Sequence, residues 1–289
     1  MKVVRTIGEM RAALAPARQA AKRIGLVPTM GAFHAGHLSL MRRARELSDV
    51  TVVSLFVNPT QFNDPRDLER YPRDERRDVA MASNEGVDWV FAPSPDEMYG
   101  GGASTFVDVR GVSEPLEGAS RGPGHFRGVA TVVSKLFNIV QPDVAFFGQK
   151  DAQQVLVIKR MVRDLDIPVR IEVCPTVRES DGLAMSSRNA LLSPDARQHA
   201  LALHRALSAA EQAVARGERD TAKVLGMARA TMSTFAVEPE YLEAVSTDTL
   251  RPVSRIDGET LVAVAARVGG VRLIDNVLVR SEQSAERSS

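Results

Sequence analysis

The apolar positions fall into two regimes. In the first, short and nearly unbroken apolar runs alternate with stretches of helical spacing. Residues 24–27 and 50–57 read as strands, the second rich in β-branched residues and ended by Asn58-Pro59. Runs without polar alternation belong to strands covered on both faces. Residues 38–47 between them have helical spacing. The pattern goes on to predict a helix over 74–85, a strand over 87–91 and a short strand over 105–109 with no assignable partner. A helix over 129–140, a strand over 144–147, a helix over 151–165 and a strand over 169–174 follow. Strand–helix alternation with short connections specifies a parallel sheet with helices on both faces. Crossover handedness makes it a doubly wound α/β layer.

Beyond Ser180 the second regime begins. Residues 194–216 form a long Ala-rich amphipathic pattern, and 221–235 another. Strands are expected over 241–245, 261–268 and 271–279, the last two joined through Gly269-Gly270, a strong hairpin signal. The expected organisation is therefore a Rossmann-like domain over 1–177 and a smaller α+β domain over 178–289 that acts as a lid. The polar tail 281–289 is expected to fray.

Composition adds limits. Of 289 residues, 44% are hydrophobic and 25% charged, as in ordinary globular enzymes. Lys plus Arg (37) nearly cancels Asp plus Glu (36), so nothing in the bulk charge points to a nucleic-acid or membrane partner. The single cysteine, Cys174, allows no intrachain disulfide and reads as a small buried hydrophobe. The N-terminus lacks a signal-peptide core and no run is long enough to span a membrane, so a cytoplasmic location is expected.

Four segments carry candidate chemistry. The first is Met30-Gly31-Ala32-Phe33-His34-Ala35-Gly36-His37, directly after a strand and before a helix. Glycines there let backbone approach a ligand, free N–H groups and the helix dipole favour an anion, and two imidazoles offset charge on phosphorus. A structural histidine pair or a zinc site is the alternative, but with five histidines and no carboxylate nearby at ligand spacing the zinc reading has little to stand on. The second segment, Asn58-Pro59-Thr60-Gln61, ends the strongest strand, where open parallel sheets bind ligands; alone it is as well read as a turn. The third, Gly148-Gln149-Lys150-Asp151-Ala152-Gln153-Gln154, offers Lys150 to a phosphate and places Gln154 a turn further on; alone it is a capped surface helix. The fourth, Met185-Ser186-Ser187-Arg188-Asn189, preceded by Arg178-Glu179-Ser180-Asp181-Gly182, sets hydroxyls and a guanidinium at the domain junction as a polyphosphate clamp, or else is a polar linker. A further Gly-rich loop, Gly122-Pro123-Gly124-His125, reads as a mobile lid or a turn. The agreement among the four raises the ligand reading above the bland one.

Together these motifs resemble the pantoate–β-alanine ligase (pantothenate synthetase) family of the HxGH nucleotidyltransferase-like superfamily. The resemblance covers nearly the whole chain and is densest at 28–31, 34–37, 56–62, 123–126, 147–154 and 181–189. It implies condensation of pantoate with β-alanine through a pantoyl adenylate, with ATP and Mg²⁺, releasing AMP and pyrophosphate. It implies an ATP site lined by Met30, Gly31, Ala32, Phe33, His34, Ala35, Gly36 and His37, with His37 as proton donor. Gly148, Gln149, Lys150 and Asp151 would add to that site, Val177 at the adenine end, and Met185, Ser186, Ser187 and Arg188 on the polyphosphate. Gln61 and Gln154 would meet pantoate, Gln61 also β-alanine, with Val132, Val133 and Phe147 as an apolar wall. Catalytic roles fall to His37, His34, Lys150 and Arg188, and Asn58 is expected as a substrate or transition-state contact. A homodimer through the first domain is implied, with Val107, Val109 and Val112 as contributors.

Three positions depart from the family pattern. Ala35 and Gln149 stand where Glu is usual, and Gly122 separates Arg121 from Pro123. Two other readings are weighed. A nucleotidyltransferase that keeps the nucleotide in its product needs cations for a phosphorylated acceptor, whereas Gln61 and Gln154 suit a hydroxy acid. A regulatory or RNA-binding module is disfavoured by the near-neutral charge and the intact phosphate motifs.

Overall fold

The computed structural model describes residues 1–122 and 124–281. Its first compact unit comprises residues 1–149 and 153–175; the second comprises 150–152 and the chain from Thr176 onward. The sequence places the division after Val177; contacts place it at Thr176 and assign Lys150–Ala152 to the second unit.

The first unit runs β1 (Lys2–Val4), α1 (Ile7–Gln19), β2 (Ile24–Thr29), α2 (Ala35–Leu47), β3 (Val50–Leu55), α3 (Pro65–Arg70), α4 (Glu75–Asn84), β4 (Trp89–Phe91), α5 (Pro95–Tyr99), α6 (Glu117–Arg121), α7 (Gly124–Val140), β5 (Val144–Gly148), α8 (Ala152–Asp164) and β6 (Arg170–Cys174). All six strands are parallel, in the order β1-β4-β3-β2-β5-β6. From β2 the chain winds outward to β3 and β4; from β5 it winds the other way to β6. The order therefore reverses between β2 and β5, and a crevice opens there outside the carboxyl ends. Pairing of these two strands stops at Leu26 with Ala145. Thr29 turns its N–H and C=O toward β3. The missing N–H of Pro28 therefore falls on the β5 side, past the last ladder bond, which is why a central strand tolerates a proline. Val27, Phe33, Met41, Val53, Val90 and Phe146 fill the core beside this edge.

The second unit contains α9 (Pro194–Ala215), α10 (Thr221–Ser233), β7 (Pro239–Ser246), β8 (Thr260–Val268) and β9 (Val271–Val279). The three strands are antiparallel in the order β7-β8-β9. Gly269 and Gly270 turn the hairpin with φ of 55° and 80°, a conformation closed to most other residues. Ala200, Leu203, Ala206, Leu207 and Ala210 of α9 pack with Val262 and Val264 of β8. The many alanines let helix and sheet approach closely.

The pattern misses β1, α1, α3, α5 and α6, which are short or polar or, in α1, interrupted by Pro16. The strand expected over 105–109 is absent, because the Val107 N–H bonds to Thr131 Oγ1 of α7 rather than to a neighbouring strand. Val109 and Val112 are 8% and 2% exposed and so buried inside this unit. Of the tail expected to fray over 281–289, Ser281 is only 3% exposed, and 282–289 lie outside the described residues. Among the described residues no helix is long and apolar enough to cross a membrane.

Candidate active site

The loop after β2 reverses sharply. Gly31 and Ala32 both have positive φ, 86° and 52°, and Ala32 gains nothing from lacking a side chain as glycine does. What holds it is Asp78 on α4, 1% exposed, whose Oδ2 and Oδ1 accept the N–H groups of Ala32 and Phe33, each at 2.8 Å. The Phe33 side chain is 1% exposed and packs in the core.

Both histidines cap α2. His34 Nδ1 accepts the Gly36 N–H at 3.2 Å, and His37 Nδ1 accepts the His34 N–H at 3.4 Å. A ring nitrogen that accepts a hydrogen bond carries no proton, so in each neutral ring the proton sits on Nε2. The rings lie 4.1 Å apart, centroid to centroid. Gly36 is required here, since a Cβ would come within 2.9 Å of His34 Cε1. The expectation that this loop leaves its N–H groups to an anion is therefore not met: those of Ala32, Phe33, His34 and Gly36 all have protein acceptors. The first turn of α2 also carries no acidic residue to oppose an anion.

The turn after β3 sits against this loop. Gln61 Nε2 lies 3.1 Å from Met30 Sδ, which joins two motifs read separately in the sequence. Asn58 is 1% exposed. Its Nδ2 donates to Gln61 Oε1 at 3.0 Å and to the Gly128 carbonyl at 3.2 Å. Its Oδ1 accepts from Tyr99 Oη at 2.8 Å and Thr60 Oγ1 at 2.9 Å. Both amide protons are spent within the protein, and one of them holds Gln61. Burial raises the Tyr99 phenol above its ordinary pKa, so it remains a donor to that oxygen. Gly128 admits this packing, because a Cβ there would lie 2.7 Å from Gln61 N.

The Gly-rich loop is largely the start of α7: Gly124 and His125 are helical, and Pro123 lies outside the described residues. His125 Nδ1 lies 2.9 Å from the Gln61 carbonyl oxygen. Arg121 is paired with the buried Glu117 at 2.7 Å. Beyond β5, a Cβ on Gly148 would meet nothing within 4 Å, so that face of the backbone is open. Gln153 is 5% exposed and spends its amide on Val112, Pro115 and Glu117, whereas Gln154 is half-buried. Val132, Val133 and Phe147 are buried, at 7%, 4% and 3%. Cys174 is buried, and loss of hydration with the nearby Glu172 carboxylate pushes its thiol up to about 11.

In the second unit Lys150 is half-buried, with Asp151 Oδ1 3.7 Å from its Nζ. The Met185 N–H donates to the Val177 carbonyl at 2.9 Å, so these two expected nucleotide contacts are neighbours. Ser186 Oγ accepts the Arg188 N–H at 3.3 Å, starting a 3₁₀ turn over Ser187–Leu191. Asn189, 7% exposed and the last residue of that motif, ties this turn to Glu179 Oε1 at 2.6 Å and the Ala184 carbonyl at 3.0 Å. Asp78 and Tyr99 were missed in the sequence. Asp78 stands in Asp74-Glu75-Arg76-Arg77-Asp78, which reads as a solvated helix face.

The sequence matches the family model of pantoate-beta-alanine ligase over residues 2–278. The chain belongs to that family. It is 55% identical over 283 residues to a pantothenate synthetase of Moorella thermoacetica, covering 96% of this chain and 99% of that one. Against a pantothenate synthetase of Cereibacter sphaeroides the identity is 54% over 278 residues, with 96% and 99% covered. The fold matches a crystal structure of pantothenate synthetase from Thermus thermophilus with a TM-score of 0.90 at 46% identity, covering 96% and 99% of the two chains. A pantoate-beta-alanine ligase from Francisella tularensis, complexed with beta-gamma ATP and beta-alanine, matches with a TM-score of 0.78 at 34% identity, covering 96% and 97%.

For a pantoate–β-alanine ligase the fit to a metal can be tested on the residues present. Among the described residues no group of three or more His, Cys, Asp or Glu gathers to hold an ion. The described residues thus offer no carboxylate cage of their own. A Mg²⁺ ion that keeps its waters and binds phosphate oxygens needs none.

Proposed function

We propose that this chain condenses pantoate with β-alanine at the expense of ATP, giving pantothenate, AMP and pyrophosphate. The observation that carries the reading is the meeting of Met30 and Gln61 beside two Nδ1-capped imidazoles, at the carboxyl edge where the strand order reverses. A pantoate carboxylate oxygen attacks the α-phosphorus. A P–O bond forms, the bond to the bridging oxygen breaks, and pyrophosphate leaves with the electron pair. The unprotonated amine of β-alanine then attacks the acyl carbon of the pantoyl adenylate. The acyl–oxygen bond breaks, AMP leaves, and the nitrogen gives its proton to water.

In this reading His34 and His37 donate Nε2–H to phosphate oxygens, and Lys150 and Arg188 supply full charges. Met30, Gly31, Ala32, Ala35, Gly36, Gly148, Gln149 and Asp151 line the nucleotide. Val177 serves the adenine, and Met185, Ser186 and Ser187 the polyphosphate. Gln61 and Gln154 take pantoate, with Val132, Val133 and Phe147 behind its dimethyl carbon. A thioether is a weak acceptor, so the Gln61 N–H facing Met30 is readily redirected to a carboxylate. Mg²⁺ enters with ATP as the metal–nucleotide substrate.

The second unit serves as a cover that excludes water from the anhydride. Solution scattering that stays unchanged on adding ATP and pantoate would count against it. The enzyme is a cytoplasmic homodimer in this reading, and a monomer in sedimentation at micromolar concentration would rule the dimer out. The reaction itself is tested by incubating the protein with ATP, pantoate and β-alanine. Equal yields of AMP, pyrophosphate and pantothenate support it; a product that retains the nucleotide refutes it.

A further inference from the structure

Asp275 and Asn276 are neighbours on β9, 3% and 5% exposed, in a sheet whose buried positions are mostly aliphatic. A carboxylate and an amide in such a place are costly unless each is partnered. Partners of both lie in, or just before, two segments read as phosphate-binding. Asp275 grips the Arg178 guanidinium through Oδ2 at 2.6 Å and Oδ1 at 3.1 Å. Arg178 Nη1 also donates to the Gly182 carbonyl at 3.2 Å, which closes the turn that Val177 and Met185 continue toward Arg188. Asn276 Nδ2 donates to the Lys150 carbonyl at 2.9 Å. Asp275 Oδ1 accepts the Asn276 N–H at 2.8 Å, so the two side-chain grips are tied together. Lys150–Ala152 group with this unit, while Gln149 and Gln153 on either side group with the other.

We propose that Asp275 and Asn276 form an anchor that holds the Lys150 backbone and the Arg178–Arg188 segment in one fixed relation, so that both cations meet the triphosphate as a set. They are positioning residues and touch no substrate. The physical need is clear for Lys150. Its ammonium rides on a flexible four-carbon stem, so a backbone fixed at the carbonyl is what limits where the charge can reach. The inference rests on the proposed role of Lys150 and Arg188 at the nucleotide.

The test is a double-mutant cycle in the full-length protein, read by pyrophosphate–ATP exchange with pantoate present. Asn276→Ala is expected to slow exchange about tenfold with the KM for pantoate unchanged. Added to Lys150→Ala, it is expected to cause no more than about a twofold further loss, since the group it positions is gone. A merely structural asparagine gives losses that multiply, and that result overturns the anchor. So does a folded Asn276→Ala that exchanges at the wild-type rate. If Asn276→Ala does not fold, Asn276→Asp keeps the size, removes the donor and is read by the same cycle. Lys150→Ala with wild-type exchange would sink the assignment of Lys150 itself. A severe Lys150→Ala defect with multiplying losses sinks only the anchor.

Discussion

Asp78 Oδ2 accepts the N–H of Ala32 at 2.8 Å, across 46 residues of sequence. The contact fixes the loop that bears both histidines, at a residue whose φ of 52° is unfavourable for an alanine. A buried carboxylate that accepts two N–H groups is worth about 1.5–3 kcal/mol per hydrogen bond. Asp78→Asn keeps the size but turns an amide donor toward one of those N–H groups. It is expected to lower the melting temperature and to reduce kcat/KM for ATP by at least about tenfold. Wild-type values for both in steady-state kinetics and thermal denaturation would show that the loop needs no such support.

His37→Ala and Lys150→Ala address the proposed phosphate donors directly. Losing one preorganised donor to developing charge typically costs on the order of 3 kcal/mol, or about a hundredfold in rate. Each variant is expected to fold normally by circular dichroism and to lose at least that factor in adenylate formation, measured by stopped-flow release of pyrophosphate. Turnover near wild type in either variant would remove that residue from the mechanism.

How much of this was legible in the sequence depends on whether partners lie near or far along the chain. The strands at Ile24–Thr29 and Val50–Leu55 were legible because both faces are covered and the apolar runs show it. The hairpin was legible because Gly269-Gly270 states its own backbone geometry. His34, His37, Gln61 and Lys150 stand out through short motifs at strand ends. The roles of Asp78 and Asn58 do not, since each depends on backbone or side chains tens of residues distant, such as Ala32 for Asp78 and Tyr99 for Asn58. The same limit explains the Gln153-Gln154 pair. Only the surrounding carbonyls of Val112 and Pro115 decide which glutamine is structural.

Cys174 offers a check on the interior of the first unit. With its thiol pushed up to about 11 and its side chain buried, it carries almost no thiolate at pH 8. The native protein is expected to leave Ellman's reagent uncoloured over an hour at that pH, and the protein in guanidinium to react at one equivalent. Full reaction of the native protein within minutes would show that β6 is open to solvent.

The proposed reaction turns on a pantoyl adenylate that forms before the amine arrives. Isotope exchange between labelled pyrophosphate and ATP, with pantoate and Mg²⁺ present and β-alanine withheld, tests this most directly. Label is expected to enter ATP under those conditions and to stop entering when pantoate is removed. Exchange that appears only once β-alanine is added would contradict the stepwise route.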